Sequence, residues 1–142
     1  MIINGYSMNS ANDRPVRYLT ASDLYNINSE ITEGNTMVRD MHLLNSAARR
    51  PAISLFGEAQ FPTILDKAAT LLHSLAYHHL FVDGNKRTAV RAVTHFLELN
   101  GYRISWDYEA EYPFVLEVAQ GKHDIPEIAQ WLAQFIHATI SP

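Results

Sequence analysis

Apolar residues recur at helical spacing along most of this chain, and Gly, Pro and Asn punctuate the pattern. Thr20 opens the first helix as an N-cap, with Asp23 in the capping-box position, and Leu24, Ile27 and Ile31 form its stripe. Glu33-Gly34-Asn35 stops it. A short second helix is predicted from Asp40 to Ala48, with Met41, Leu43, Leu44 and Ala47 turned partly inward, and Arg49-Arg50-Pro51 breaks it. Pro62 and Thr63 start a third helix. Its broad apolar face of Ile64, Leu65, Ala68, Leu71, Leu72, Leu75 and Ala76 predicts a central, buried position. A fourth runs from near Asn85 to Asn100-Gly101 with Ala89, Val90, Val93, Phe96 and Leu97 on one face. Two more are predicted, at about 108–120 and 125–139, divided at Gly121 and Pro126. Ala52 to Phe61 is the one stretch with extended character, a partly ordered loop or hairpin flap. The expected fold is an all-α, single-domain helical bundle over residues 18–140. It is preceded by a loose Asn-, Ser- and Asp-rich arm at 1–17.

Composition narrows the function classes. A chain of 142 residues is long enough for one domain with a real core, and 47% hydrophobic with 18% charged residues is ordinary for a globular protein. A net charge of −4 argues against direct nucleic-acid binding and against adhesion to an anionic membrane. With no cysteine, disulfides and thiolate metal sites are excluded. No apolar run reaches membrane-spanning length, and the polar start lacks a signal peptide's apolar segment, so a cytoplasmic location is expected.

The break between the third and fourth helices carries the chemistry: His79-Leu80-Phe81-Val82-Asp83-Gly84-Asn85-Lys86-Arg87-Thr88. A loop that ends at a helix N-terminus offers free backbone N–H groups and a favourable dipole to an anion. His79 is a candidate general base, because an imidazole titrates near neutrality. Asp83 is a hard oxygen ligand suited to Mg²⁺ shared with phosphates and water. Gly84 permits close backbone approach, Asn85 starts the helix, and Lys86 and Arg87 are a point charge and a planar fork for phosphate. Phe81 anchors the loop in the core. A Lys-Arg pair in a first helical turn opposes the dipole, and that conflict points to a bound anion. Each residue alone has a plainer reading, a structural His or a simple turn; their order and spacing favour phosphate chemistry.

With His79, Phe81, Asp83, Gly84, Asn85, Lys86 and Arg87 in this order, the chain resembles the Fic/Doc family pattern H-x-F-x-[D/E]-[G/A]-N-[G/K]-R at every defined position. Tyr18-Leu19-Thr20, Leu43-Leu44-Asn45-Ser46-Ala47 before Arg50-Pro51, and Phe96-Leu97-Glu98-Leu99-Asn100-Gly101-Tyr102 resemble its death-on-curing (Doc) branch, so that the likeness covers residues 18–138. The resemblance implies that His79 deprotonates a target hydroxyl and Asp83 holds Mg²⁺. Gly84, Asn85 and Lys86 would form the anion hole, with Arg87 as the phosphate clamp. Ser54, Leu55, Phe56 and Gly57 would belong to a flap that docks the target by strand addition. Lys86 discriminates: AMP-transferring members typically have Gly there, Doc-like members Lys. The implied activity is transfer of the ATP γ-phosphate to a Thr or Ser of a translation factor, elongation factor Tu being the Doc target. A small antitoxin with a disordered tail is the implied inhibitor. Gly84 departs from the Ala of the Doc type member, and a nucleotidyl transferase stays open as the alternative. A third reading, an inactive nucleotide- or partner-binding module, does not need the base that His79 supplies.

Three further features each have a functional and a plainer reading. Ser29-Glu30-Ile31-Thr32-Glu33-Gly34 fits a self-inhibitory string of the family, in which a Glu would compete for Arg87, but an ordinary helix end with a Gly turn is preferred. His73 and His78 are five residues apart, not the spacing of a helical metal pair. Trp106, Tyr108 and Tyr112 are expected to pack in the core, with a partner surface as the alternative.

Overall fold

The computed structural model describes residues 14–139, together with the backbone of an antiparallel pair, β1 (Ile2–Ile3) with β2 (Tyr6–Ser7). The rest of the expected 1–13 stretch of the arm lies outside the described residues. Its last residue, Arg17, is tied to the far end of the fourth helix: its N–H donates to Asn100 Oδ1 at 2.9 Å and its carbonyl accepts from Asn100 Nδ2 at 2.9 Å.

Helix α1 spans Ala21–Ile31, α2 Met41–Arg49, α3 Ile64–Tyr77, α4 Asn85–Leu99, α5 Tyr108–Ala119 and α6 Ile125–Ala133. A 3-10 turn at Arg50–Ala52 follows α2. The caps explain the boundaries. Thr20 and Asp23 form the reciprocal capping box predicted for α1, Asp40 and Thr63 cap α2 and α3, and Asp124 with Glu127 forms a second box at α6. Helix α3 is the axis of the domain and packs on α4, α5, α6 and the 3-10 turn. Its Ala68, Leu71, Leu72, Leu75 and Ala76 are almost wholly buried, as the broad apolar face required. Among the described residues no helix is long and apolar enough to cross a membrane.

Two local expectations are corrected. On α2, Leu44 and Ala47 are buried, but Met41 and Leu43 are exposed, because the helix meets the core through a narrow stripe. The last helix stops at Ala133 rather than near Thr139, and β6 (Ile136–Ala138) follows, paired antiparallel with β5 (Tyr102–Ile104). The spacing of Trp131, Leu132, Phe135 and Ile136 suits a helix. A distant partner wins: Ser105 N–H donates to the Phe135 carbonyl and Thr139 N–H to the Gly101 carbonyl, both at 2.8 Å, on either side of the ladder. The 52–61 stretch forms the expected hairpin, β3 (Ser54–Leu55) with β4 (Glu58–Ala59), and the β5–β6 ladder shows that extended character is not confined to it.

Candidate active site

The segment between α3 and α4 is held from several sides. Helix α3 ends at Tyr77 with His78 as its cap, and His79 takes a left-handed conformation at φ 50° that turns the chain out of the helix. Leu80 and Phe81 then plunge into the core with no exposed surface, which stabilises the loop by roughly 1.5–3 kcal/mol per side chain. The strip before α2 clamps this piece: Arg39 N–H donates to the Leu80 carbonyl at 2.7 Å and Val82 N–H to the Met37 carbonyl at 2.9 Å. Asn85 reaches back over the loop, accepting from Phe81 N–H at 3.0 Å and donating to the Phe81 carbonyl at 2.8 Å. Its side chain is therefore committed to the loop, and only its backbone N–H is left for an anion.

Asn28 is a site residue that the sequence reading passed over. Fully buried on α1, it donates through Nδ2 to the Asp83 carbonyl at 2.8 Å and to Thr88 Oγ1 at 3.0 Å, joining loop and helix. Its signal in the sequence is its register: four residues after Leu24 and three before Ile31, it lies on the apolar face, where a buried amide must find partners. Gly84 shows why α1 comes so close. It lies at φ 78°, and a Cβ there would meet Asn28 Nδ2 and Ile31 Cγ2 at 3.2 Å. Glycine is favoured by the left-handed backbone, and a Cβ would oblige these side chains to give by a few tenths of an ångström.

The N-terminus of α4 is open. Gly84 provides no side-chain cap, and the first helical bond runs from Thr88 N–H to the Gly84 carbonyl at 2.8 Å. The N–H groups of Asn85, Lys86 and Arg87 thus lack helical acceptors and form a natural anion hole. Asp83 accepts from Gly84 N–H at 2.8 Å through Oδ1, while its Oδ2 lies 3.9 Å from Arg87 Nη2 in an exposed pair of little intrinsic strength. These residues line one wall of a cavity of about 420 Å³; Glu111, Tyr112, Val115 and Tyr108 of α5 line the other. Burial raises the pKa of Glu111 on the wall that faces the loop.

Tyr108 and Tyr112 correct the expectation of core packing: they are 86% and 63% exposed. Trp106 does pack inward, donating to Thr94 Oγ1 at 2.7 Å and lying 6.1 Å from the Trp131 ring. The two tyrosines, one turn apart, face the cavity because α5 buries Phe114, Val115 and Val118 instead. His79 is not part of that cavity wall. It stands exposed at the other end of the loop, its ring without a hydrogen-bond partner among the described residues.

The flap has the opposite character. Phe56 at φ 53° and Gly57 at φ 80° make a tight left-handed turn, Phe56 is fully exposed at 103%, and Leu55 and Ile53 are about half exposed. Glu33, in the self-inhibitory string, is exposed at φ 55° and is followed by Gly34 at φ 85°, whose N–H donates to the Ser29 carbonyl at 2.8 Å. This is a helix end with a glycine turn. Arg87 pairs with Asp83, and Glu30 of the same string pairs with Arg91 at 3.5 Å.

Residues 18–97 match the family model described as the Fic/DOC family. The chain is 41% identical over 123 residues to "Toxin Doc" of Mycolicibacterium smegmatis, a match covering 85% of this chain and 95% of that relative.

Proposed function

The chain belongs to the Fic/DOC family, in its Doc branch, and we propose that it is the toxin of a toxin–antitoxin pair that phosphorylates a Thr or Ser hydroxyl of a translation factor, elongation factor Tu being the expected target. Members of the family are transferases acting on proteins. The observation that carries the kinase reading is Lys86, set in the first turn of an uncapped helix whose N–H groups open on a cavity of nucleotide size.

In this reading the triphosphate lies against the N–H groups of Asn85, Lys86 and Arg87. Lys86 adds a point charge and Arg87 a two-pronged donor for the oxygens of the transferred group. Tyr108 and Tyr112 offer aromatic faces to the base at the outer wall. His79 accepts the proton of the target hydroxyl as the new O–P bond forms and the bond from the γ-phosphorus to the departing ADP breaks. The open position and unpartnered ring of His79 leave room for a hydroxyl to arrive from outside the protein.

The donor set at Asp83 fits Mg²⁺. One carboxylate is present with a largely solvent-facing Oδ2, and among the described residues no group of three His, Cys, Asp or Glu forms a closed cage. A single carboxylate sharing the ion with phosphates and water is the usual Mg²⁺ arrangement, and the ion would supply charge neutralisation and phosphate alignment.

The hairpin supports docking of the target by strand addition, since Ser54, Leu55, Phe56 and Gly57 project from the domain with their apolar surface uncovered. A small antitoxin whose disordered tail folds on binding is the expected inhibitor. A second reading, AMP transfer, has the same base and anion hole, but the bulk and charge of Lys86 stand where an α-phosphate would approach.

The toxin reading is tested by inducing the chain in bacterial cells without its antitoxin. Growth arrest with loss of protein synthesis is expected, and His79→Ala should relieve it. Normal growth at high expression of the native chain would contradict the reading.

A further inference from the structure

A second polar cavity, of about 180 Å³, lies beside the last turn of α3. Ser46 and Ala47 of α2, Arg50, His73 and Ser74 of α3, and its cap His78 line it. Arg50 Nη1 is 3.1 Å from His73 Nδ1 and 3.0 Å from Ser74 Oγ, and its guanidinium lies over the Phe61 ring at 5.7 Å. Arginine only donates, so His73 accepts at Nδ1 and carries its proton on Nε2. The His78 ring is edge-on to His73 at 5.9 Å, and Tyr77 contacts both rings, at 5.3 and 5.0 Å.

The charge in this cavity is one-sided. No acidic side chain lines it, and Arg50 has no carboxylate partner among the described residues. Burial lowers the pKa of Arg50, and burial followed by the Arg50 charge lowers those of His73 and His78, with each imidazole's neighbouring His adding to the effect. The two acceptors of this half-buried guanidinium, His73 Nδ1 and Ser74 Oγ, are neutral, so its charge is left without the negative partner that usually offsets burial. A divalent cation does not fit, because His73 Nδ1 is already engaged and the fixed charge beside it is positive.

We propose that this cavity is an oxyanion subsite, separate from the loop before α4, that takes one phosphate or carboxylate group. The group has two sources: free inorganic phosphate, or an acidic side chain of a bound polypeptide. The cavity is placed for the second, since His78 adjoins the base His79 and Phe61 closes the root of the flap.

The test follows the isotope-labelled imidazole nitrogens of His73 and His78 by NMR in the full chain carrying Arg87→Ala, which disables the phosphate clamp of the other site. Inorganic phosphate and a doubly blocked aspartate are titrated separately. Saturating shifts of both rings, absent at His137 on β6 and lost in Arg50→Gln, are expected. Saturation by phosphate alone identifies a free ion, and saturation by the blocked aspartate identifies a side chain; either supports the subsite. Non-saturating drift with both probes, or the same curve in Arg50→Gln, overturns it. If Arg50→Gln does not fold, Ser46→Asp provides the second variant. Its built-in carboxylate should abolish the response and raise Tm by about 2 °C over Ser46→Asn. An unchanged response and equal Tm values would also overturn the proposal.

Discussion

The loop before α4 and the β3–β4 hairpin lie on the same domain and are held in opposite ways. The loop has its carbonyls and N–H groups taken up by Asn85, Asn28 and the strip before α2, and Leu80 and Phe81 pin it from below. The hairpin is bonded mainly to itself, as in the 3.0 Å bond from Gln60 N–H to the Ile53 carbonyl, and it carries Phe56 and Leu55 outward. Under the proposed function, the difference separates two tasks. Transfer chemistry needs donors fixed before the substrate arrives, since a rigid site spends no energy reorganising during the reaction. A surface that receives another chain needs unpaired strand edges and uncovered apolar groups, features that a folded domain otherwise avoids.

The contrast can be broken first at the base. His79→Ala should reduce transfer to protein by roughly 10²–10⁴-fold while thermal stability is retained, because the ring makes no hydrogen bond within the described structure. A paired activity and melting experiment checks both halves; wild-type transfer by the variant would remove His79 from the mechanism. Next comes the scaffold of the loop. Asn85→Ala leaves both polar groups of Phe81 without their partner and should cost about 2 kcal/mol, lowering Tm by roughly 6 °C, together with activity. A stable variant with full activity would show that the loop does not depend on this staple.

At the hairpin the signs reverse. Phe56→Ser should change stability by no more than about 0.5 kcal/mol, yet raise KM for the protein target by about tenfold with kcat for the chemistry preserved. Loss of stability would mean that the hairpin is part of the core, contrary to its exposure. The smallest effect belongs to the cavity that adjoins both regions. His73 and His78 have folded-state pKa values below the ordinary imidazole value, owing first to burial and then to Arg50. The unfolded chain therefore binds more protons as pH falls through that ordinary value, and stability should decline on acidification. Denaturant melts of the native chain and of a His73→Gln, His78→Asn double variant should converge above neutrality and separate below it. Parallel curves would exclude these two groups as the cause.

Much of this was legible in the sequence, for identifiable reasons. Capping boxes and apolar stripes are local, so Thr20–Asp23 and the face of α3 were readable in advance. The residues of the loop are contiguous, so their chemistry was also open to inspection. What escaped was non-local. Asn28 acts across the domain on Asp83 and Thr88; its register beside Leu24 and Ile31 marks a buried amide, but not which partners it reaches. The β6 strand owes its conformation to a partner more than thirty residues away. Their aromatic character predicts a core position for Tyr108 and Tyr112; only the rotation of α5, fixed by Phe114, Val115 and Val118, turns them to the cavity.

The central claim is that Lys86 and the uncapped end of α4 direct the γ-phosphate, not the α-phosphate, to the target. The direct measurement presents purified elongation factor Tu with this protein, Mg²⁺ and ATP labelled in separate reactions on the α- or the γ-phosphorus. Label on the factor from γ-labelled ATP alone is the predicted result. Label arriving from the α position would contradict the account and make the chain an AMP transferase.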